Sequence, residues 1–185
     1  MTLPMLLPLQ CPKCQTPFLA EPDEIAWLCS TCGQAAQLDE KQLSGLSPLE
    51  IHFDTGIQPS RSSGGSQPGR PFWVAQGKVT VQRETYSGNE NRQAQEFWQI
   101  PRTFFIPAYT CTLDQLISEG MRYLRQPVSM MQGSPAPFLP VTLSLEDVRP
   151  MAEFIIMGIE AERRDMVKSV GVQLNLAPPI LWILP

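Results

Sequence analysis

The 185-residue chain contains a single histidine and lacks most sequence signals of catalysis. The Ser63-Gly-Gly-Ser66 segment lacks the lysine and the strand–helix setting of a phosphate-binding loop. No serine lies in the nucleophile motif of the hydrolases. Because the chain has no second histidine, His52 cannot belong to a histidine pair with metal-ligand spacing, and we expect a structural or surface role for it. The sequence therefore indicates that the protein is not an enzyme, with an unannounced site in residues 71–185 as the alternative.

Long apolar runs are also missing. A membrane-spanning helix needs roughly 20 consecutive apolar residues, and the best candidate, residues 154–159, is far shorter and flanked by glutamates. Residues 1–9 are apolar, but they lack a basic leader and are interrupted by Pro4 and Pro8, so they do not fit a secretory signal. We expect a cytoplasmic protein without a membrane span.

Positive charge is scarce in the first 50 residues, where six acidic residues stand against two lysines. Acidic and basic residues balance in the rest of the chain, so this region carries the whole net charge of −4. Proteins that bind nucleic acids use lysine and arginine to displace counterions from phosphates. The charge distribution therefore opposes a nucleic-acid partner, although a nucleic-acid-associated transcription accessory protein remains an alternative.

Four of the five cysteines form two C-x2-C pairs with fourteen residues between the pairs. Two such pairs at this separation are typical of a four-thiolate zinc site. Gly33 follows the second pair directly, at a position that commonly needs a positive φ, whereas Gln15 occupies the equivalent position after the first pair. We predict that one structural Zn²⁺ per chain is bound by Cys11, Cys14, Cys29 and Cys32.

The two pairs, the apolar segments between them and the acidic Glu21–Glu24 hairpin tip resemble the zinc ribbons, a broad family of small β modules. The resemblance covers residues 9–40 and implies that two turns present four sulfurs to one ion. A four-thiolate site has no open coordination position, so its role is structural. Two disulfides and an iron site of rubredoxin type are the alternatives for the same cysteines. Zinc ribbons serve polymerases, enzymes and scaffolds, so the resemblance specifies no function.

The remaining chain predicts an α+β fold in three parts. Residues 1–50 form the zinc ribbon and a short arm, residues 54–70 form a flexible linker with few apolar residues, and residues 71–185 form a mixed β-sheet domain with about two helices. Proline is abundant, at 19 residues, which favours turns and edge strands over a helical bundle. We therefore expect a small module joined to a larger domain that folds without metal.

Alternating and helical patterns place the elements of the larger domain. Residues 72–86 and 170–176 alternate as strands, and residues 95–109 form an aromatic-rich second strand region interrupted by prolines. A capping box at Thr112-Leu-Asp-Gln115 begins one helix. Another helix begins near Ser144, where Pro150 either kinks it or restarts it in its first turn.

Two further groups of residues have possible chemical roles. Cys111 precedes a helix, but we interpret it as a small buried residue. Glu146, Glu153 and Glu160 are spaced by seven and would form one acidic stripe on a continuous helix. Because arginines follow or precede them at helical spacing, we expect a solvated, salt-bridged face and no carboxylate site.

These observations favour an interaction module. We expect a protein partner rather than nucleic acid, and the sequence leaves the oligomeric state open. If the linker separates the parts, replacing Cys29 by serine unfolds the zinc ribbon and leaves residues 71–185 folded.

Overall fold

The computed structural model describes residues 9–39, 45–57, 67–88 and 90–185. Within these ranges the protein is a mixed α+β fold with three helices and eight strands in two sheets, which confirms the predicted class. The strands are β1 (Ala26–Leu28), β2 (Ala35–Leu38), β3 (Leu46–Leu49), β4 (Ile51–Phe53), β5 (Arg70–Ser87), β6 (Arg102–Pro107), β7 (Met166–Leu176) and β8 (Ile180–Leu184), and the helices are α1 (Asn91–Trp98), α2 (Leu113–Arg125) and α3 (Val148–Ala161).

The smaller sheet contains the antiparallel strands β1, β2 and β3 in that order. The hairpin between β1 and β2 contains the second cysteine pair, since Leu28 pairs with Ala35 directly across the turn. Strand β3 lies at one edge of this sheet, and an edge strand tolerates a proline such as Pro48. The described part of the segment predicted as an arm therefore includes a strand, β3, that belongs to the sheet.

The larger sheet is organised around the 18-residue strand β5. Its first half lies between β8 and β6, and its second half pairs antiparallel with β7. Strands β7 and β8 lie on the same side of β5 in nearly continuous register and are separated by Pro178 and Pro179, which cannot donate to the ladder. The short strand β4 pairs parallel with β8 at the edge.

Helices α2 and α3 pack against each other, and α2 packs against β6. The predicted capping box is present, with the Gln115 amide donating to the Thr112 hydroxyl over 3.2 Å and the Gln115 side chain accepting from the Thr112 amide over 3.0 Å. Gly120 permits the close approach of the helices, because a Cβ there would lie 2.3 Å from Ile155. Pro150 lies in the first turn of α3, so it starts the helix and does not kink it.

One helix differs from the sequence prediction. Residues 95–109 were expected to be extended, but α1 occupies residues 91–98 and β6 occupies only residues 102–107. Ala94 and Trp98, four residues apart, are the buried positions of α1, and this helical spacing within a mostly polar segment explains the preference. The larger domain therefore has a third helix that the aromatic-rich pattern concealed.

The two sheets contact each other through the backbone and through a common core. Only Glu50 separates β3 of the smaller sheet from β4 of the larger one. The Ile25 amide donates to the Val141 carbonyl over 2.8 Å, and fully buried Ala26 belongs to the main hydrophobic core. The smaller sheet is thus packed on the larger domain.

Most of the predicted linker, residues 58–66, lies outside the described residues. At its ends Ile57 and Gly69 are buried, and the Gly69 amide donates to the Pro137 carbonyl over 2.9 Å. In the described part of the chain, none of the three helices is long and apolar enough to cross a membrane.

Candidate metal centre

The four cysteines predicted to bind zinc lie together at one end of the smaller sheet. Their sulfur atoms are all within 4.8 Å of one another. The shortest separations join the two pairs, with 3.5 Å between Cys11 and Cys32 and 3.5 Å between Cys14 and Cys29. Zn–S bonds of about 2.3 Å in a tetrahedron place sulfurs about 3.8 Å apart. The cluster therefore has the size required for one tetrahedral ion, and zinc is the ion that such a donor set favours.

The two cysteine turns have the same backbone structure. The amides of Gln15 and Gly33 donate over 2.9 Å to the carbonyls of Cys11 and Cys29, respectively. In both turns the first cysteine's amide also donates to the carbonyl five residues further along the chain, over 2.9 Å. Gln15 and Gly33 both have a positive φ, of 61° and 71°. Gln15 therefore adopts the conformation that glycine provides in the second turn.

Hydrogen bonds to the sulfurs contribute to shifts in the pKa values of three of the four thiols. The Thr16 hydroxyl, 3.2 Å from the Cys14 sulfur, and the Thr16 amide lower the pKa of Cys14 to about 6. The Cys32 amide lowers the pKa of the Cys29 thiol. The Gln34 amide lowers the pKa of the Cys32 thiol, but desolvation and the neighbouring thiols raise it by more. The net effect is that the pKa of Cys32 rises to about 12. Four adjacent thiolates repel one another, and a dication removes that repulsion.

The donor set fits a structural role better than a catalytic one. Cys11 and Cys29 are buried and the other two sulfur ligands are half-buried. Four sulfurs complete a tetrahedral shell, so no position remains for a water molecule or a substrate. A bound zinc ion would connect the turn at residues 11–15 to the β1–β2 hairpin. All five cysteines of the chain are free thiols in the structure.

The two turns provide a matched pair of substitutions. We expect Gly33→Ala to lower the free energy of unfolding of the zinc-loaded protein by about 1 kcal/mol, because a non-glycine residue at positive φ is strained. No atom lies within 4 Å of the added Cβ, so backbone strain is the only cost. Gln15→Gly should be neutral or stabilising by up to about 1 kcal/mol. Urea titration measures both values, and a loss of stability in Gln15→Gly would contradict the equivalence of the turns.

His52 and Cys111 lie away from the cluster. The His52 imidazole is stacked on Trp182, its Nδ1 is 2.7 Å from the Gln132 side-chain oxygen, and its Nε2 is 2.8 Å from the Glu50 carboxylate. Cys111 packs against the core, and desolvation together with Glu119 raises the pKa of its thiol. His52 therefore has the structural role expected for it, whereas Cys111 is half-buried and not fully buried as expected.

The acidic stripe predicted on α3 does not form as expected. Glu153 is paired with Arg149 on the surface, at 3.2 Å, as the helical spacing indicates. Glu160, however, is 1% exposed and accepts a hydrogen bond from the Trp98 indole over 2.8 Å. The expectation of a solvated face is wrong for this residue. The sequence signal that could have indicated the burial of Glu160 is its position one helical turn after Ile156, an apolar residue that is buried.

Glu160 belongs to a buried ion cluster that the sequence did not reveal. The guanidinium Nε of Arg83 lies 2.9 Å from its carboxylate, and Arg83 also contacts Asp165 at 2.6 Å. Arg163 donates to both Glu160 oxygens over 3.0 Å. Two arginines thus balance two carboxylates between β5 and the end of α3. Arg83 and Trp98 lie far from Glu160 along the chain, so no local pattern indicates its burial.

Comparisons of the chain with protein-family profiles, characterised proteins and solved structures find no significant match.

Proposed function

We propose that this chain is a cytoplasmic zinc-ribbon protein that acts as a protein–protein interaction or scaffold module. The observation that carries the proposal is the closed cluster of Cys11, Cys14, Cys29 and Cys32, whose sulfurs lie within 4.8 Å of one another. Such a site stabilises a small β module and leaves no coordination position for chemistry. A reducing compartment keeps these thiols available for metal.

The charged groups outside the cluster also support an interaction role. In the described part of the chain, the buried carboxylates Glu160 and Asp165 are neutralised by arginines. Neither is a free acid or base of the kind that a catalytic site requires. The turn that precedes β1 is acidic, with Glu21, Asp23 and Glu24, which disfavours a phosphate backbone as partner.

The burial of three aromatic residues also favours a protein partner over a nucleic acid. Trp98, Phe104 and Phe105 are buried, with at most 3% of their surface exposed. A platform for single-stranded nucleic acid needs exposed aromatic faces within a basic groove. These three rings stabilise the core of the larger domain instead.

The metal content is the first test. We expect one zinc ion per chain by elemental analysis of protein purified under reducing conditions. Cys14→Ser should lose the ion, whereas Cys111→Ser, which changes the one cysteine outside the cluster, should retain it. Protein free of zinc, iron in place of zinc, or disulfides within the pairs would overturn the metal assignment.

The interaction role is tested by recovering the tagged protein from its native cells after cross-linking. We expect one protein partner in a constant ratio, and its recovery should resist nuclease and high salt. Recovery with DNA or RNA that is lost at high salt would support the nucleic-acid alternative. The absence of any partner in a constant ratio would overturn the interaction role.

A further inference from the structure

The second half of β5 has an open edge. The Ala108 amide donates to the Pro71 carbonyl, and the Ala177 amide donates to the Gln76 carbonyl. Successive residues of a strand direct their N–H and C=O groups to opposite sides of the strand. Odd-numbered residues of β5, like Pro71, therefore direct these groups towards β6, and even-numbered residues, like Gln76, direct them towards β7. Strand β6 ends at the Gly77–Arg102 pair. Beyond it, Val79 and Val81 direct their N–H and C=O groups to an edge that no described strand occupies.

A groove follows this edge. The chain leaves α1 after Trp98 and enters β6 at Arg102, so α1 lies beyond this end of β6, and a groove of about 510 Å³ remains between α1 and β5. Residues from both faces of β5 line it, so the groove must run along the edge of the strand rather than over one face. It is lined by residues 78–81 of β5 and, on the helix side, by Arg92, Ala94, Gln95, Glu96, Trp98 and Gln99.

The two faces of the groove differ in chemistry. Val79 and Trp98 belong to the hydrophobic core and Val81 packs against it, so the base of the groove on the helix side is apolar. The two charged residues of α1 that line the groove, Arg92 and Glu96, pair with each other at 2.8 Å. Lys78 and Thr80 are exposed on the opposite face. Among the described residues, no carboxylate lies within ion-pair distance of the Lys78 ammonium. The groove therefore complements a strand with apolar side chains on one face and acidic side chains on the other.

We propose that this groove docks an extended segment of a partner protein in which apolar and acidic residues alternate. The segment adds to the sheet as a strand beside β5, and its main chain bonds to Val79 and Val81. The inference rests on the proposed interaction function and names its site. A second copy is a poorer occupant, because β7, whose outer edge pairs with no described strand, contains no acidic residue that could pair with Lys78.

The test uses the zinc-loaded full chain and the peptide acetyl-Val-Glu-Val-Glu-Val-amide, observed by amide NMR. We expect shift changes centred on Val79 and Val81, and exchange of these two amides slowed about tenfold at a peptide concentration ten times the Kd. The peptide in which lysine replaces glutamate should bind more weakly, and Lys78→Glu should reverse that preference. Unchanged Val79 and Val81 amides would overturn the proposal.

Two substitutions on the same helix serve as the matched pair. Gln95 lines the groove, whereas exposed Gln93 faces away from it. Gln95→Trp should abolish peptide binding, and Gln93→Trp should leave it unchanged. Equal binding by both variants would overturn the proposal. The proposal would also be overturned if, without peptide, the Val79 and Val81 amides were protected from exchange and lost this protection on dilution. A second copy of the chain would then occupy the edge.

The same variants separate this proposal from the function on which it rests. If the partner recovered from cells binds wild type and Gln95→Trp equally well, the groove is not the docking site but the interaction role stands. If no partner is recovered while the peptide binds at Val79 and Val81, the groove binds extended segments and the scaffold function fails.

Discussion

Replacing Cys29 by serine is expected to release zinc and to destabilise both sheets, not the smaller one alone. A structural zinc ion contributes about 10–16 kcal/mol to the folding of a small module, and three sulfurs cannot complete its shell. The smaller sheet packs on the larger domain through Ala26 and through the hydrogen bond from Ile25 to Val141. Loss of the metal therefore removes part of a shared core.

This expectation revises the view that the linker separates the two parts. Only Glu50 lies between β3 and β4, and β4 is paired with β8. Unfolding of the smaller sheet should expose Val141, which is fully buried. We expect the free energy of unfolding of residues 71–185 to fall by about 2–5 kcal/mol, the range for losing large buried contacts.

Hydrogen exchange and thermal unfolding measure the effect. Amides of the larger domain in Cys29→Ser should exchange faster than in wild type, and Cys111→Ser should serve as the control that retains zinc. Removal of zinc from wild type with a chelator should give the same pattern. Wild-type exchange and an unchanged midpoint for residues 71–185 would restore the view that the parts fold independently.

Replacing Glu160 by leucine should cost about 3–5 kcal/mol of stability, because it leaves the buried guanidinium of Arg83 and the partly buried one of Arg163 without their shared carboxylate. Glu160 contacts Arg83 at 2.9 Å and Arg163 at 3.0 Å. Its other oxygen accepts the Trp98 indole hydrogen bond over 2.8 Å. Glu160→Gln should cost less, since an amide oxygen still accepts from Trp98.

Urea unfolding at constant zinc measures both variants. Glu153→Leu on the same helix is the control, because its exposed pair with Arg149 is expected to contribute about 0–1 kcal/mol. If Glu160→Leu and Glu153→Leu lose the same small amount, the buried cluster does not stabilise the fold and the ion pairs are dispensable.

The parts of the fold that the sequence predicted depend on local patterns. The capping box at Thr112 and the alternation within β5 and β7 depend on residues close together in the sequence, and the structure confirms them. The strand region predicted over residues 95–109 was wrong over residues 95–98, because aromatic content suggested an extended segment, whereas Ala94 and Trp98 are spaced to bury one face of a helix. The burial of Glu160 was missed for a related reason, since its partners Arg83 and Trp98 lie on distant segments of the chain.

The sequence by itself determined the proximity of the four cysteines. Each C-x2-C pair forms its own turn, and the fourteen residues between the pairs are enough for a hairpin to return. Tertiary structure alone decided what surrounds them: the packing of Ala26 under Val141, the open edge at Val79 and Val81, and the buried charge of Glu160. These features depend on contacts between residues far apart in the chain, which spacing and periodicity do not encode.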